Sequence, residues 1–529
     1  MLDRDSTRTQ RIYPQTIDRF KMLFNTPFFI FIFLPIAAIG FFCTVKIDRR
    51  LGIVWFILSS LYFYAIDDFS PWYVLLSLIL LSISTNYAIA FLIRKYQKIS
   101  PSKSKWAFIL GIVFNIALLG LFKYADFAIS NFNALIGTSF TFLAILLPAG
   151  ISFYTFTQIA YLADTYRNKA PDHKILNYFL FVTIFPHLIA GPIIYHKEIM
   201  PQFLEKTFSE INFENISVGL TIFFIGLFKK VVLADTISVY ADAVFGLAGT
   251  GASISFLTAW MGALAFTFQI YFDFSGYSDM AIGLARIFNV KFPLNFSSPY
   301  KSTSIIEFWR TWHMTLSRFL KDYVYIPLGG NRKGISRRYL NLFLTMLIGG
   351  LWHGASWTFV LWGGLHGFFL MVNHGLEKIF LNGREISNPV LKLSGQWSAR
   401  IITFIAVIFA WVVFRAHSLD EVAILWKGMV GGNGFSTSFS QIFAIVQFNR
   451  WSWILFLLLL IVCWFFPNSQ EIMRNYSPAI DFKEKRNTNI LHRVILWKPS
   501  LLCLCIIGII AVLSFDMMEN VKVFLYYQF

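Results

Sequence analysis

Charge is scarce in this 529-residue sequence: 14% of its residues are Asp, Glu, Lys or Arg, while 57% are hydrophobic. A soluble globular domain carries about 25% charged residues, so an apolar surplus of this size cannot be hidden in one aqueous core. Cysteine is scarce as well. Cys43, Cys463, Cys503 and Cys505 lie in apolar runs or at their ends. They lack the paired spacing of a disulfide framework or a zinc site and read as small packing residues. Low-complexity tracts and repeats at a solenoid period are missing too. No polar segment is long enough to bury a core of its own. That last absence removes nucleic acid as a partner despite the net charge of +17, because a basic patch of that kind needs a soluble domain to carry it.

What is abundant is apolar sequence in runs of membrane length. A spanning helix needs roughly 20 mostly apolar residues. Residues 27–45, 71–93, 106–124, 140–163, 401–415 and 451–466 read as spans, and 51–66, 178–194, 217–233, 256–287, 340–351, 357–372 and 501–515 as shorter or polar-interrupted ones. The composition predicts an all-α polytopic membrane protein with about 11–13 transmembrane or re-entrant helices. Basic residues cluster in short loops, Lys46, Arg49 and Arg50 in one, Arg94, Lys95, Lys98, Lys103 and Lys105 in the next, with Asp67 and Asp68 between them. The positive-inside rule therefore runs the first three spans out-to-in, in-to-out and out-to-in.

The polar residues 1–21 form an extension ahead of a single membrane domain, 22–529. Their Arg4, Arg8, Arg11, Arg19 and Lys21 conflict with an outside start, and translation from Met22 would remove the conflict. A peptide from the native protein containing residues before Met22 would exclude that start.

Between Phe185 and His374 the apolar runs are broken by His, Arg, Asp, Asn, Gly and Pro. Polar groups at membrane depth are costly and face a cavity or the protein interior, so chemistry is to be sought there. Along 307–323, read at 100° per residue, Arg310, His313, Ser317 and Lys321 share one helical stripe and Trp309, Trp312, Leu316 and Phe319 another. A helix lying at the interface explains Arg310, Arg318 and Lys321 through headgroups, but it does not call for an imidazole.

Leu347-Ile-Gly-Gly-Leu-Trp-His353-Gly sets an imidazole among small and aromatic residues. A neutral histidine there could take a proton from an attacking hydroxyl. A buried histidine that merely bonds a neighbouring helix is an equally good reading of His353, and the better one for His366 and His374. Phe185-Pro-His187-Leu-Ile-Ala-Gly191-Pro192 predicts a kink or re-entrant entry. Phe272-Asp273-Phe-Ser-Gly276-Tyr-Ser-Asp279 places two carboxylates and a turn-forming glycine in an apolar run. With no third ligand adjacent, they read as structural hydrogen-bonding groups and no metal site is assigned.

Taken in order, these motifs, with Phe308-Trp-Arg-Thr-Trp-His313-Met-Thr-Leu-Ser317, Tyr325-Ile-Pro-Leu-Gly-Gly-Asn331-Arg332 and Gly350-Leu-Trp-His353-Gly-Ala-Ser-Trp357, resemble bacterial membrane-bound O-acyltransferases, nearest the membrane subunit of alginate O-acetylation. The resemblance is densest over about residues 185–375. It implies a ring of helices around a central tunnel in the bacterial cytoplasmic membrane, with His353 as the catalytic histidine and His313 as its support. Arg310, Ser317, Trp352 and Asp273 become candidates for lining the tunnel or binding substrate. It further implies acetyl-CoA as donor with no bound cofactor, an exported glycan as acceptor, and an extracytoplasmic partner protein that completes the transfer. Phe524-Leu-Tyr526-Tyr-Gln-Phe529 resembles an aromatic motif whose tyrosine is proposed to relay the acyl group. A phenol could do so, although an interfacial anchor is the simpler role for Tyr526. Two other readings stay open: D-alanyl or longer acyl transfer to teichoic acid or lipid, and a small-solute transporter or flippase. The lack of an internal repeat counts against the transporter.

Overall fold

The structure is a computed structural model that describes residues 22–66, 71–170, 174–377, 388–435, 452–482, 491, 494–520 and 522–525. Among the described residues every regular element is helical and none is a strand. This is what a bilayer imposes, since a helix satisfies its own backbone where water cannot. Among the described residues five helices are long and apolar enough to cross a membrane: Phe29–Ile47, Trp72–Gln97, Pro101–Ile136, Phe213–Gly249 and Pro389–Arg415. Ser452–Phe465 and Leu501–Asp516 are apolar but shorter. The expected 11–13 passages exceed these, and the remainder would have to come from helices such as Arg49–Ala65, Phe256–Ile287 and Trp357–Leu376, which are shorter or more polar. The chain is a multi-pass membrane protein. Residues 1–21 and Tyr526 lie outside the described residues; Met22, Leu23 and Phe24 are buried.

Two expectations about continuity need correction. The run 140–163 is not one helix. Its helix, Ile151–Tyr166, starts only after Pro148 and Gly150, whose φ is +70°. The preceding loop can leave the helix because Asp126 accepts from the amides of Leu143 at 2.8 Å and Ala144 at 3.1 Å. Conversely, Gly276 makes no turn: Phe256–Ile287 is an unbroken 32-residue helix. Its Gly276 and Gly283 instead bring its backbone against that of Phe213–Gly249. A β-carbon at Gly276 would sit 2.7 Å from the Gly226 carbonyl, and one at Gly283 2.5 Å from the Gly219 carbonyl. Only glycine permits that approach.

This long helix joins two hydrophobic clusters. Its residues from Tyr277 to Ile287 belong to a cluster built on the N-terminal helices, and those from Ala259 to Phe274 to one built on later helices. Leu316, Phe319 and Trp352 belong to the first, Trp309, Trp312 and Trp362 to the second. The polar segments around Gly276, His313 and His353 therefore lie along the seam between the two clusters, whereas Phe185, Leu188 and Ile189 belong to the first alone.

Candidate active site

His353 is the last residue of the helix Ile335–His353, which ends because Gly354 is fully extended. A β-carbon on Gly354 would lie 2.1 Å from the Phe359 ring, and one on Gly350 would lie 2.3 Å from the Phe359 carbonyl. These glycines let Trp357–Leu376 fold back closely, and Ser356 caps its start by accepting from Thr358. The His353 ring is enclosed by Trp352, Trp362 and Phe414, with centroids at 4.9, 5.1 and 5.1 Å.

His313 arrives by a different route. The predicted continuous helix over 307–323 is broken into Ile305–Thr311 and Met314–Leu320, with Trp312 extended and His313 left-handed at φ +40°. For a non-glycine residue that conformation costs about 1–2 kcal/mol, and the loop ahead of it makes up the difference. Ser297 donates to the Thr311 carbonyl at 2.9 Å and Met314 donates to the Asn295 carbonyl at 2.9 Å. The Asn295 side chain donates to Ser278 at 3.0 Å, and its Oδ1 accepts from Thr315 at 2.9 Å. That same Oδ1 lies 3.1 Å from His313 Nδ1. As an acceptor it takes the Nδ1 proton, which leaves the lone pair of the neutral ring on Nε2. The His313 ring lies 4.7 Å from Phe274 and 6.4 Å from His353, centroid to centroid. Both imidazoles are buried, at 0% and 4% exposure.

The kink disperses the predicted stripe. Arg310 and Lys321 are exposed, whereas His313 is enclosed and Ser317 is half-buried. The Ser317 hydroxyl oxygen is buried without a hydrogen-bond partner among the described residues. Trp352 joins the histidines, 6.0 Å from the His313 ring and stacked on Phe156 at 5.1 Å. Arg310 does not join them. Nor does Arg318 need a headgroup: it pairs with both oxygens of Glu198 at 2.8 and 2.9 Å and stacks over Tyr195. Burial pushes the Glu198 carboxyl above its ordinary range, an effect that the guanidinium opposes.

Asp273 is engaged by a lysine and a backbone amide. It pairs with Lys230 at 2.7 Å and accepts from the Leu525 amide at 3.1 Å. Asp279 pairs separately with Lys229, Ser469 and Gln470. Among the described residues no group of three metal-ligating side chains converges. His187 meets the Phe181 carbonyl at 3.2 Å, a packing role, while the kink it sits in reaches the site through Ile193, which donates to Thr315 at 3.0 Å. His366 accepts from the Trp309 indole at 3.2 Å.

Sequence reasoning missed Asn295, which looks like any polar loop residue, and Lys123, whose lysine inside an apolar run was an available signal. Asn295→Ala is expected to lower turnover about tenfold by freeing the His313 ring, and to cost roughly 1–3 kcal/mol through the buried groups left unpaired. Turnover measured beside the thermal midpoint of the purified variant checks both.

Residues 165–413, which contain both histidines, match the membrane-bound O-acyltransferase family. The chain is also 46% identical over 444 residues to the peptidoglycan O-acetyltransferase of Helicobacter pylori, covering 79% of this chain and 81% of that one. The chain belongs to the membrane-bound O-acyltransferase family. It is an acyltransferase. The protein named "probable alginate O-acetylase" of Pseudomonas aeruginosa is 40% identical over 415 residues, 77% of this chain and 75% of that one. The teichoic acid D-alanyltransferase of Bacillus subtilis is 26% identical over 281 residues, 50% and 68%. The two enclosed histidines are thus the natural place to look for this family member's chemistry.

Proposed function

We propose that the protein takes an acetyl group from acetyl-CoA at the cytoplasmic face and passes it toward a hydroxyl of an exported cell-surface glycan, with peptidoglycan as the first acceptor to test. The observation that carries this reading is the meeting of His313 and His353. They come from segments forty residues apart, yet their rings lie 6.4 Å apart at the seam of the two hydrophobic clusters. His353 takes the proton of the attacking hydroxyl. The oxygen bonds to the acetyl carbon, the carbon–sulfur bond breaks, and the departing thiolate receives that proton. His313 supports this step by position: with its Nδ1 proton given to Asn295, the neutral ring offers a lone pair at Nε2 and has no proton there for a carbonyl.

Acetyl is favoured over D-alanyl because the relatives named for acetyl transfer stand at 46% and 40% identity and the one named for D-alanyl transfer at 26%. An extracytoplasmic partner completes the transfer to the polymer, and Tyr526 is the candidate relay toward it. The test supplies radiolabelled acetyl-CoA to the full chain in lipid nanodiscs. CoA release, with label appearing as an ester on added glycan or partner, is the expected result. Turnover only of a D-alanyl thioester would move the reading to teichoic acid. Solute passage with no thioester cleavage would move it to transport.

A further inference from the structure

Helix Ile335–His353 ends where its last carbonyls have no amide of their own to accept from, since an α-helix leaves its final four carbonyls unsatisfied. Those groups are met from outside by two neighbouring side chains of another segment. Lys123 Nζ lies 2.5 Å from the Trp352 carbonyl and 3.0 Å from the His353 carbonyl. The Tyr124 hydroxyl donates to the Leu351 carbonyl at 2.6 Å. Three successive carbonyls at the end of the His353 helix are therefore held by two consecutive residues more than two hundred positions earlier.

Both donors sit on a widened turn, Gly120–Tyr124, inside the helical span Pro101–Ile136. Such turns insert one residue into the α-helical ladder and are frequent at functional sites. Here the insertion places Lys123 and Tyr124 side by side toward one neighbour. An ammonium inside a membrane span is costly and calls for a reason. Among the described residues Lys123 has no carboxylate partner in an ion pair. What it faces is the negative end of a helix dipole, with the Trp352 ring 5.9 Å from its nitrogen.

We propose that Lys123 is a positioning residue for the transfer reaction, its ammonium and the Tyr124 hydroxyl gripping the end of the Ile335–His353 helix and so setting the direction of the His353 ring. It acts through His353 and does not touch substrate. An ammonium has three donors, and the Trp352 carbonyl, the His353 carbonyl and the Ser152 hydroxyl at 3.5 Å account for all three. The residue after the grip, Gly354, is extended and unable to hold the helix end itself. Without the grip the terminal turn frays and the imidazole loses its fixed approach. A misplacement of about 1 Å can cost on the order of a hundredfold in rate.

This inference rests on His353 being the base, and the experiment separates the two. Thioester turnover by the full chain in nanodiscs is measured for Lys123→Met, Lys123→Arg, Tyr124→Phe and His353→Ala. Lys123→Met is expected to lower kcat about 10- to 100-fold with KM for acetyl-CoA within about twofold, the pattern of a lost transition-state alignment. Lys123→Arg keeps a cation with several donors at the helix end and is expected to recover several-fold of the lost kcat. Wild-type kcat in folded Lys123→Met, a change confined to KM, or no recovery with arginine overturns the proposal. Should Lys123→Met fail to accumulate, Tyr124→Phe decides: it keeps the bulk, loses one hydrogen bond, and is expected to lower kcat about three- to tenfold, while an unchanged kcat overturns the grip. Turnover retained by His353→Ala would instead remove the base assignment itself.

Discussion

His353→Ala is expected to lower thioester turnover by about 10²- to 10⁴-fold, the usual contribution of a positioned general base, which corresponds to roughly 3–5 kcal/mol of barrier. The expectation is large because the two neighbouring imidazoles are anchored in positions of their own. His313 is fixed through Nδ1 to Asn295 with its ring centred 6.4 Å from that of His353, so its Nε2 lone pair is not where the His353 ring stands, and His366 has its Nδ1 accepting from Trp309. The remaining neighbours of the His353 ring, Trp352, Trp362 and Phe414, are aromatic and cannot accept a proton from a hydroxyl. Alanine leaves a cavity among these rings, so the thermal midpoint has to be measured alongside, and His353→Gln, which fills more of the space without the basic nitrogen, should be as slow as alanine. Turnover within tenfold of wild type in a folded His353→Ala protein would remove the residue from the proton transfer.

The sequence was most legible where one side chain decides the local environment. An imidazole flanked by Gly349, Gly350 and Gly354 in an apolar run singled out His353, on even terms with a merely packed histidine, and the order of motifs around it pointed to a reaction class before any contact was visible. Continuity was less legible. Periodicity alone ran a helix straight through Trp312 and His313, because the force that breaks it comes from Asn295 and Ser297, whose hydrogen bonds offer the backbone of residues 311–314 an alternative to the helical ladder. Gly276 misled in the opposite sense. In water a glycine among polar residues reads as a turn, but between two membrane helices it lets the backbones touch, as the approach to Gly226 demonstrates. The run 140–163 looked like one helical span by hydropathy, and Pro148, Gly150 and the amides captured by Asp126 explain why it is not one helix. Lys123 was visible as a charge out of place, yet its partners are carbonyls, which every residue carries and no sequence pattern marks.

Lys230→Met is expected to be strongly destabilising. Lys230 is 1% exposed and pairs with Asp235 at 2.6 Å and with Asp273 at 2.7 Å. The two carboxylates also hold the segment 522–525: Asp273 accepts from the Leu525 amide at 3.1 Å and Asp235 from the Lys522 amide at 3.4 Å. Phe524, between them, is buried against Tyr277 at 4.5 Å and lies 5.0 Å from the Lys230 nitrogen. Phe524 belongs to one hydrophobic cluster and Leu525 to the other, so this segment stitches the same seam on which the histidines lie. Methionine removes the cation and leaves two buried carboxylates uncompensated, a loss of the kind that costs about 3–5 kcal/mol. Asp273→Asn separates charge from hydrogen bonding: its amide oxygen can still accept from Leu525, and Lys230 keeps Asp235, so the cost should be nearer 1–2 kcal/mol. Thermal unfolding of the detergent-solubilised proteins, with limited proteolysis across 517–525, reads both effects. The expected order is wild type, then Asp273→Asn, then Lys230→Met, with cleavage of the segment rising in step. A Lys230→Met protein as stable and as protected as wild type would mean that the aromatic packing of Phe524, and not the buried charges, holds the segment in place.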